Sequence, residues 1–439
     1  MNRRGALRVA AGLAAPASVA RAGTLFSSTS SAASPHASAV VQLPYFGTHF
    51  HRLIPIAGKL DPPTVWVGGS VGSLRLWDSG TRWGDVAPRP GVWDFERMDA
   101  YVGAAEREAA SVLYTLGSTP RWASARPDEP GPYGPGCAAE PVRLGHWEDY
   151  VTRVAQRYRG RIQAYELWNE PHFSDYARDR QYPGFFTGSV AQMVDLARVA
   201  RQVLDRVDPS ALLTTPGFVN GPHRLDLFLA SGGAALVQVV AYHFYAQDST
   251  RFAQQVVDVR DVMRKYRLEA LPLWNTECGV ETFAENEALP KGVTQRLTDR
   301  QAAERAAQFL LLGAALRLDK FFYYAWDNHR SGLVASDGRY NLRFEALQRA
   351  QRWLLGAQVS PAEWSGTSVL IRGEKKGEPF MLAWGESARL EAIHVPTGWK
   401  IVSCETLLDA AAVSCVRQTG PGQRVELSAA PQRLGLGRT

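Results

Sequence analysis

The sequence predicts a (β/α)8 TIM barrel followed by a small antiparallel, sandwich-like β domain, and three observations carry that expectation. The first is an alternation, from Pro44 to Leu355, between short β-branched or aromatic runs and longer amphipathic ones. That is the βα rhythm of a parallel barrel. The second is the count: eight such runs, the number that closes this barrel. The third is a change after Trp353-Leu354-Leu355 to short alternating runs separated by Gly, Pro and polar residues, the texture of an antiparallel sheet. A chain of 439 residues, 45% hydrophobic and 21% charged, suits a barrel of about 250–350 residues plus an appendage.

The elements follow in chain order. Residues 1–22 read as an export signal: Arg3-Arg4 precede an Ala/Val/Leu-rich run, and Ala20-Arg21-Ala22 is a small-x-small cleavage site. The arginine pair resembles a twin-arginine signal, although Ala6 stands where a bulky apolar residue is usual. The protein is therefore expected in the periplasm or outside a bacterial cell. Residues 23–43 read as a linker, Ser/Ala-rich over Ser27–Ala39. The barrel is assigned to 44–355. Its strands are expected at Tyr45–Phe50, Ser73–Asp78, Ser111–Gly117, Ala164–Asn169, Leu212–Pro216, Val239–Tyr245, Leu271–Glu277 and Phe321–Trp326. Helices are expected at Phe95–Ala109, Trp147–Tyr158, Ser189–Val207, Phe252–Tyr266 and Asp299–Leu316, the last with Asp299 as N-cap. Residues 356–439 form the β domain, with strands at Ser368–Ile371, Pro379–Trp384, Leu390–Ile393, Lys400–Cys404 and Arg424–Leu427.

Composition narrows the class. The net charge is +6, but Lys and Arg are scattered and form no basic block, which argues against nucleic acid as partner. The apolar run near the start is too short for a comfortable membrane span, and no later stretch qualifies. The nine His do not cluster at ligand spacing and the four Cys form no CxxC pair, so neither a metal nor another cofactor is expected. Cys404 and Cys415 flank a short segment of the β region and are expected to be bridged. There are 13 Trp and 15 Tyr. A Trp at a strand end can be a flat platform for a sugar ring or a core residue, and the two readings stay open for any one of them.

Reactive residues of such a barrel belong at the carboxyl ends of its strands. The fourth strand ends in Trp168-Asn169-Glu170-Pro171 and the seventh in Asn275-Thr276-Glu277-Cys278. Two glutamates thus meet at one mouth. Carboxyls about 5–5.5 Å apart there support double displacement: one attacks the anomeric carbon, the other protonates the leaving oxygen and later deprotonates water. A Glu at a strand end is otherwise an ion-pair partner, and the pairing of strands four and seven is what weighs against that reading.

Trp168-Asn169-Glu170-Pro171 with a later strand-seven Glu resembles clan A glycoside hydrolases, and more specifically family 39. Trp77-Asp78, Gly91-Val92-Trp93-Asp94 and Thr119-Pro120-Arg121-Trp122 resemble further segments of that family, and the likeness covers roughly residues 44–355. The resemblance implies Glu170 as acid/base and Glu277 as nucleophile. It implies that Asn169 donates to the sugar 2-hydroxyl and that His243 and Tyr245 orient the nucleophile and line the site. Trp326 would floor the glycone subsite, Arg75 would pair with Glu277, His49 or His51 would contact sugar hydroxyls, and Trp122 would build a wall. Each has a plainer reading: Arg75 as a structural ion, His243 as a satisfied core residue, Trp326 as core. Strand alternation lets only one of His49 and His51 face inward, and His49 is preferred. Cys278, beside the nucleophile, is expected to point away as an inert thiol.

The function expected is a retaining glycoside hydrolase, endo-acting on a bacterial exopolysaccharide. The export signal and the long loops Ser124–Leu144 and His172–Gly188, which could wall a groove, favour it. An exo-acting β-glycosidase such as a β-xylosidase is the alternative. A non-catalytic polysaccharide-binding barrel is the alternative of another class, and it would have lost one of the glutamates. The expected partner is a poly- or oligosaccharide, and oligomeric state is left open.

Overall fold

A computed structural model describes residues 39–55, 64–179, 184–290, 293–335, 337–385, 389–393, 395, 397–408, 416–419 and 422–439. The export signal and most of the linker lie outside the described residues, as does Cys415.

Eight parallel strands form the barrel: β1 (Phe46–Thr48), β2 (Ser73–Leu76), β3 (Ser111–Thr115), β4 (Ala164–Glu166), β5 (Leu212–Thr214), β6 (Val240–His243), β7 (Leu273–Cys278) and β8 (Lys320–Tyr323). Their order runs from β5 back to β1 and then β8, β7, β6. Parallel bridges Thr214–Val239 and Phe218–Tyr242 close the ring between β5 and β6. All eight expected strands are present. They are shorter than the sequence suggests, because the aromatic and polar residues at their ends leave the ladder to build the mouth.

The helices are α1 (Trp83–Val86), α2 (Glu96–Arg107), α3 (Leu144–Arg157), α4 (Val190–Val207), α5 (His223–Ala230), α6 (Ser249–Lys265), α7 (Asp299–Ala315) and α8 (Leu342–Leu354). Asp299 opens α7, but the cap is Thr298. Its side chain accepts from the Gln301 amide while the Gln301 side chain reaches back, a reciprocal capping box. Ser189 and Gln192 cap α4 in the same way. Among the described residues no helix is long and apolar enough to cross a membrane.

Toward the amino end of the barrel interior, Leu113, Ala164, Val239, Trp274 and Phe322 pack in an apolar layer, beside which Lys320 is buried against the hydroxyls of Ser73 and Ser111. Arg75, in register with Leu113 of this layer, is fully buried, and its guanidinium reaches the carboxylates of the mouth.

Beyond α8 follow β9 (Ala357–Val359), β10 (Glu363–Ser365), β11 (Ser368–Lys375), β12 (Glu378–Trp384), β13 (Arg389–Ala392), β14 (Trp399–Thr406), β15 (Val416–Thr419), β16 (Gly422–Leu427) and β17 (Gln432–Arg438). They form a six-stranded and a three-stranded antiparallel sheet. On β12, Phe380, Leu382 and Trp384 join the core shared with the barrel. Met381 and Ala383, on the other face, pack with Val425 and Leu427 of the smaller sheet. Gln308 of α7 donates to the Ala429 carbonyl (2.7 Å) and Trp384 to the Ser249 hydroxyl (3.2 Å), tying the sandwich to the barrel. Cys404 is disulfide-bonded, while Cys137 and Cys278 are free and buried.

Candidate active site

The mouth is organised by one cation. Arg75, on β2, donates from Nε to Glu166 (2.7 Å), from Nη1 to Glu277 (2.8 Å) and from Nη2 to the Asn169 carbonyl oxygen (2.7 Å). A guanidinium is suited to this because its planar fork addresses several acceptors at once. With Asn169 Oδ1 occupied by Arg75, the amide NH2 is the group left to donate.

The end of β4 delivers two consecutive side chains to the same mouth, which a regular strand cannot do. The backbone solves this with left-handed turns at Trp168 (φ 104°) and Glu170 (φ 40°). Such conformations cost about 1–3 kcal/mol each and persist where the surroundings fix them. Here the Trp168 indole donates to the Phe185 carbonyl (2.6 Å), and the Glu170 amide donates to Gly217 (2.9 Å). Trp168 is buried and outward, while Asn169 and Glu170 turn in.

Glu277, on β7, is held from both sides. Tyr245 donates to its Oε1 (2.8 Å) and Arg75 to its Oε2 (2.8 Å). Burial and the charge of Glu277 push the Tyr245 phenol far up, so it remains a donor. Burial raises the Glu277 carboxyl above its usual range, His243 and Arg75 pull it down, and Glu170 and Asp78 push it up. Arg75 therefore favours the ionised nucleophile, but its charge is shared with Glu166 and does not outweigh desolvation.

His243, on β6, sits between the two glutamates. Its Nδ1 lies 2.9 Å from Glu170 Oε1 and 3.9 Å from Glu277 Oε1. One side-chain atom from each of Glu170, His243 and Glu277 lies within 4.8 Å of the other two. The two carboxylates thus bring one oxygen each within 4.8 Å, the kind of close pairing that double displacement uses.

His49 faces the interior from β1, with Nε2 3.1 Å from the Thr276 carbonyl. Burial and the neighbouring Arg75 push it far below its usual range, so it is neutral with the proton on Nε2. His51 turns to the rim, where its amide donates to Asp327 (2.8 Å).

Two expected site residues lie elsewhere. Trp326 is 1% exposed and packs on Phe50 (4.9 Å between centroids) and on Phe344 of α8 (5.6 Å), in the layer between strands and helices. Alternation alone would turn Trp326 in with Phe322 and Tyr324, but β8 ends at Tyr323, and beyond the ladder the chain directs Trp326 outward onto Phe50 and Phe344. Trp122 is also in the outer layer. Its indole donates to the Ala87 carbonyl (2.8 Å), and its ring meets Trp83 and His146.

Their place is taken by residues without an assigned role in the sequence reading. Tyr324 donates to Asp78 Oδ2 (2.8 Å) and stands edge-on to His49 (5.1 Å). Tyr133, from the loop after β3, donates to Asp78 Oδ1 (2.6 Å) and accepts from the Trp77 indole (2.8 Å). Thr115 donates to Glu166 (2.7 Å). In-phase alternation along β4 and β8 was the available signal for Glu166 and Tyr324. Tyr133 had none, because a loop residue's reach is set by tertiary structure.

No family model matches the chain and no curated relative is similar to it. Solved structures do match. A family 39 glycoside hydrolase from Bacteroides cellulosilyticus superposes with a TM-score of 0.66 at 17% identity, over 91% of this chain and 82% of that one. A glucosidase from Croceicoccus marinus gives 0.59 at 16% identity, over 92% and 98%. A family 39 enzyme from Xanthomonas axonopodis pv. citri gives 0.52 at 16%, over 84% and 88%. At these identities the likeness is one of architecture: the chain is a (β/α)8 barrel carrying a C-terminal β-sandwich.

Proposed function

We propose that the protein is a retaining glycoside hydrolase in which Glu277 attacks the anomeric carbon and Glu170 serves as acid, then base. The observation that carries this is the close approach of Glu170 and Glu277 at one mouth, with Tyr245 and Arg75 on the nucleophile. Glu277 must be ionised to attack. Glu170 gives its proton to the leaving oxygen, and in the second half it takes one from water as that water displaces Glu277. Asn169, oriented by Arg75, donates to the sugar 2-hydroxyl, a contact that tightens as positive charge develops at the ring. The glucosidase and family 39 neighbours support a glycosidic substrate.

For the substrate we favour an exported polysaccharide cut internally, in keeping with the expected export signal and the long loops after β3 and β4. One observation favours a second, exo-acting reading. Asp78 joins Tyr133 of the β3 loop to Tyr324 beyond β8, which walls the β1–β2–β8 side of the carboxylates. Incubation with the exopolysaccharide of the source organism, with products sized over time by mass spectrometry, tests both. A ladder of oligosaccharides supports endo-cleavage, and monosaccharide alone supports the exo reading. Proton NMR of the first-formed product should show the substrate's anomeric configuration. The inverted anomer would refute double displacement.

A further inference from the structure

Glu166 has no role in the chemistry just described, yet it is fully buried beside it. Its Oε2 accepts from Arg75 and from Thr115. Its Oε1 has no hydrogen-bond partner among the described residues, and neither has Nε2 of His243. The two orphaned atoms border one notch. A Cβ on Gly217 would lie 2.4 Å from His243 Nε2 and 2.9 Å from Glu166 Oε1, so only a glycine leaves that space open. Buried polar atoms left without partners are costly, and two of complementary kind around one glycine call for an account.

We infer that Glu166 is a positioning residue: its carboxylate, across the Gly217 notch, keeps a proton on His243 Nε2, so that Nδ1 meets Glu170 as an acceptor and the acid's proton is lodged between Glu170 Oε1 and His243 Nδ1. The inference rests on the glycosidase reading above. The charged and titratable neighbours of His243 are Glu170 and Glu166 from the β4 segment, Glu277 from β7, Arg75 from β2 and His49 from β1. Glu170 and Glu277 both lie on the Nδ1 side. Unopposed, they draw the imidazole proton to Nδ1, where it would bond an ionised Glu170 and leave no proton to donate. The Glu166 charge on the other side opposes that tautomer. When Glu170 releases its proton to the leaving oxygen, its carboxylate again faces Nδ1 and is placed to take a proton from the attacking water.

The test compares wild type, Glu166→Gln and Glu166→Asp on two aryl glycosides of one sugar, with phenyl and dinitrophenyl leaving groups. Dinitrophenolate leaves without protonation, so only the phenyl substrate needs the acid. For Glu166→Gln, kcat/KM on the phenyl glycoside should fall about 10–100-fold, while the dinitrophenyl value falls only a few-fold. The alkaline limb of the phenyl profile should move to lower pH, and Glu166→Asp should recover part of the loss. Equal losses on both substrates would overturn the inference and leave Glu166 as a support for Arg75 alone. Histidine nitrogen-15 NMR of the resting protein decides the same point without turnover, His243 being assigned with His243→Gln. Its Nε2 should carry the proton in wild type and lose it to Nδ1 in Glu166→Gln. A proton on Nδ1 in wild type overturns the inference whatever the activity, whereas failure of wild type on every glycoside would refute the hydrolase reading instead.

Discussion

The two ends of one barrel handle buried charge in opposite ways. At the carboxyl mouth, Arg75 faces Glu166 and Glu277, with Glu170, Asp78, His49 and His243 beside them. At the amino end Lys320 of β8 donates to the hydroxyls of Ser73 and Ser111 (2.6 Å each) and lies 5.1 Å from the centre of the Trp274 ring. Among the described residues its hydrogen-bond partners are hydroxyls and not carboxylates, and burial pulls its amine down to about 7. The mouth couples charges to one another, adds two left-handed backbone turns, and leaves buried polar atoms of Glu166, His49 and His243 unpaired. The floor at the amino end gives one amine two neutral hydroxyls and, among the described residues, no counter-charge that a hydrogen bond brings to it, and lets its charge weaken. Coupled charge is what proton transfer needs, and an isolated one serves packing.

The largest effects expected from breaking this contrast lie at the mouth. Glu277→Gln should lower kcat on any substrate by about four orders of magnitude or more, since it removes the attacking atom. A fluorinated slow substrate should label wild-type Glu277, found by peptide mass spectrometry. Arg75→Met comes next. It leaves Glu166 and Glu277 buried without their counter-charge, and breaking a buried pair in this way costs about 3–5 kcal/mol. Denaturant unfolding reads that loss. Any folded fraction should also show the acid limb of kcat/KM moved to higher pH, because Arg75 pulls Glu277 down. Arg75→Lys should restore little, since an ammonium cannot span Glu166, Glu277 and Asn169 together.

The same contrast explains what was legible beforehand. The eight strands were, because each is a short apolar run and only eight close the ring. Glu170 and Glu277 were, because they stand at strand ends inside Trp168-Asn169-Glu170-Pro171 and Asn275-Thr276-Glu277. Trp326 and Trp122 lie away from the mouth for a reason no period shows: both stand beyond the ends of their strands, Trp326 past Tyr323 and Trp122 in the turn Arg121–Ala123, where the ladder no longer sets a side chain's direction. Asp78 and Tyr133 meet only through a loop whose course no local pattern sets. Helix α5 was missed because His223–Ala230 spans only eight residues, and α8 was absent from the expected helices as well.

A smaller effect, of opposite sign, is expected at the floor. Lys320→Met removes a cation that burial disfavours, while Ser73 and Ser111 keep each other as partners at 2.8 Å. Replacing even a buried ion pair by apolar residues of similar volume is often neutral or stabilising by about 1–4 kcal/mol, and a gain within that range is expected for this amine. The folded-state value is below that of the free amine. The cost of charging is therefore full below pH about 7 and fades as pH rises toward that of the unfolded chain. The stabilisation by Lys320→Met should follow the same course, read as the difference in unfolding free energy from pH 6 to 10. A loss of stability at every pH would show that the amine's bonds to the two serines outweigh its desolvation.

The smallest effect links the two ends. Glu277→Gln, besides abolishing turnover, should raise Tm near neutral pH, because burial makes the charged carboxylate less favourable in the folded state than in water. The sign follows from the direction of the shift. A carboxyl raised on folding contributes stability at low pH that is lost as pH rises through its folded value. The gain from the amide should thus be present at neutral pH and vanish once pH falls below about 4, where the carboxyl is protonated in the unfolded chain as well. Lys320→Met and Glu277→Gln would then both stabilise at neutral pH but part at low pH, where only the lysine variant keeps its gain. A Glu277→Gln protein no more stable than wild type at neutral pH would mean that Arg75, Tyr245 and His243 compensate the nucleophile in full, and that the mouth is no more strained electrostatically than the floor.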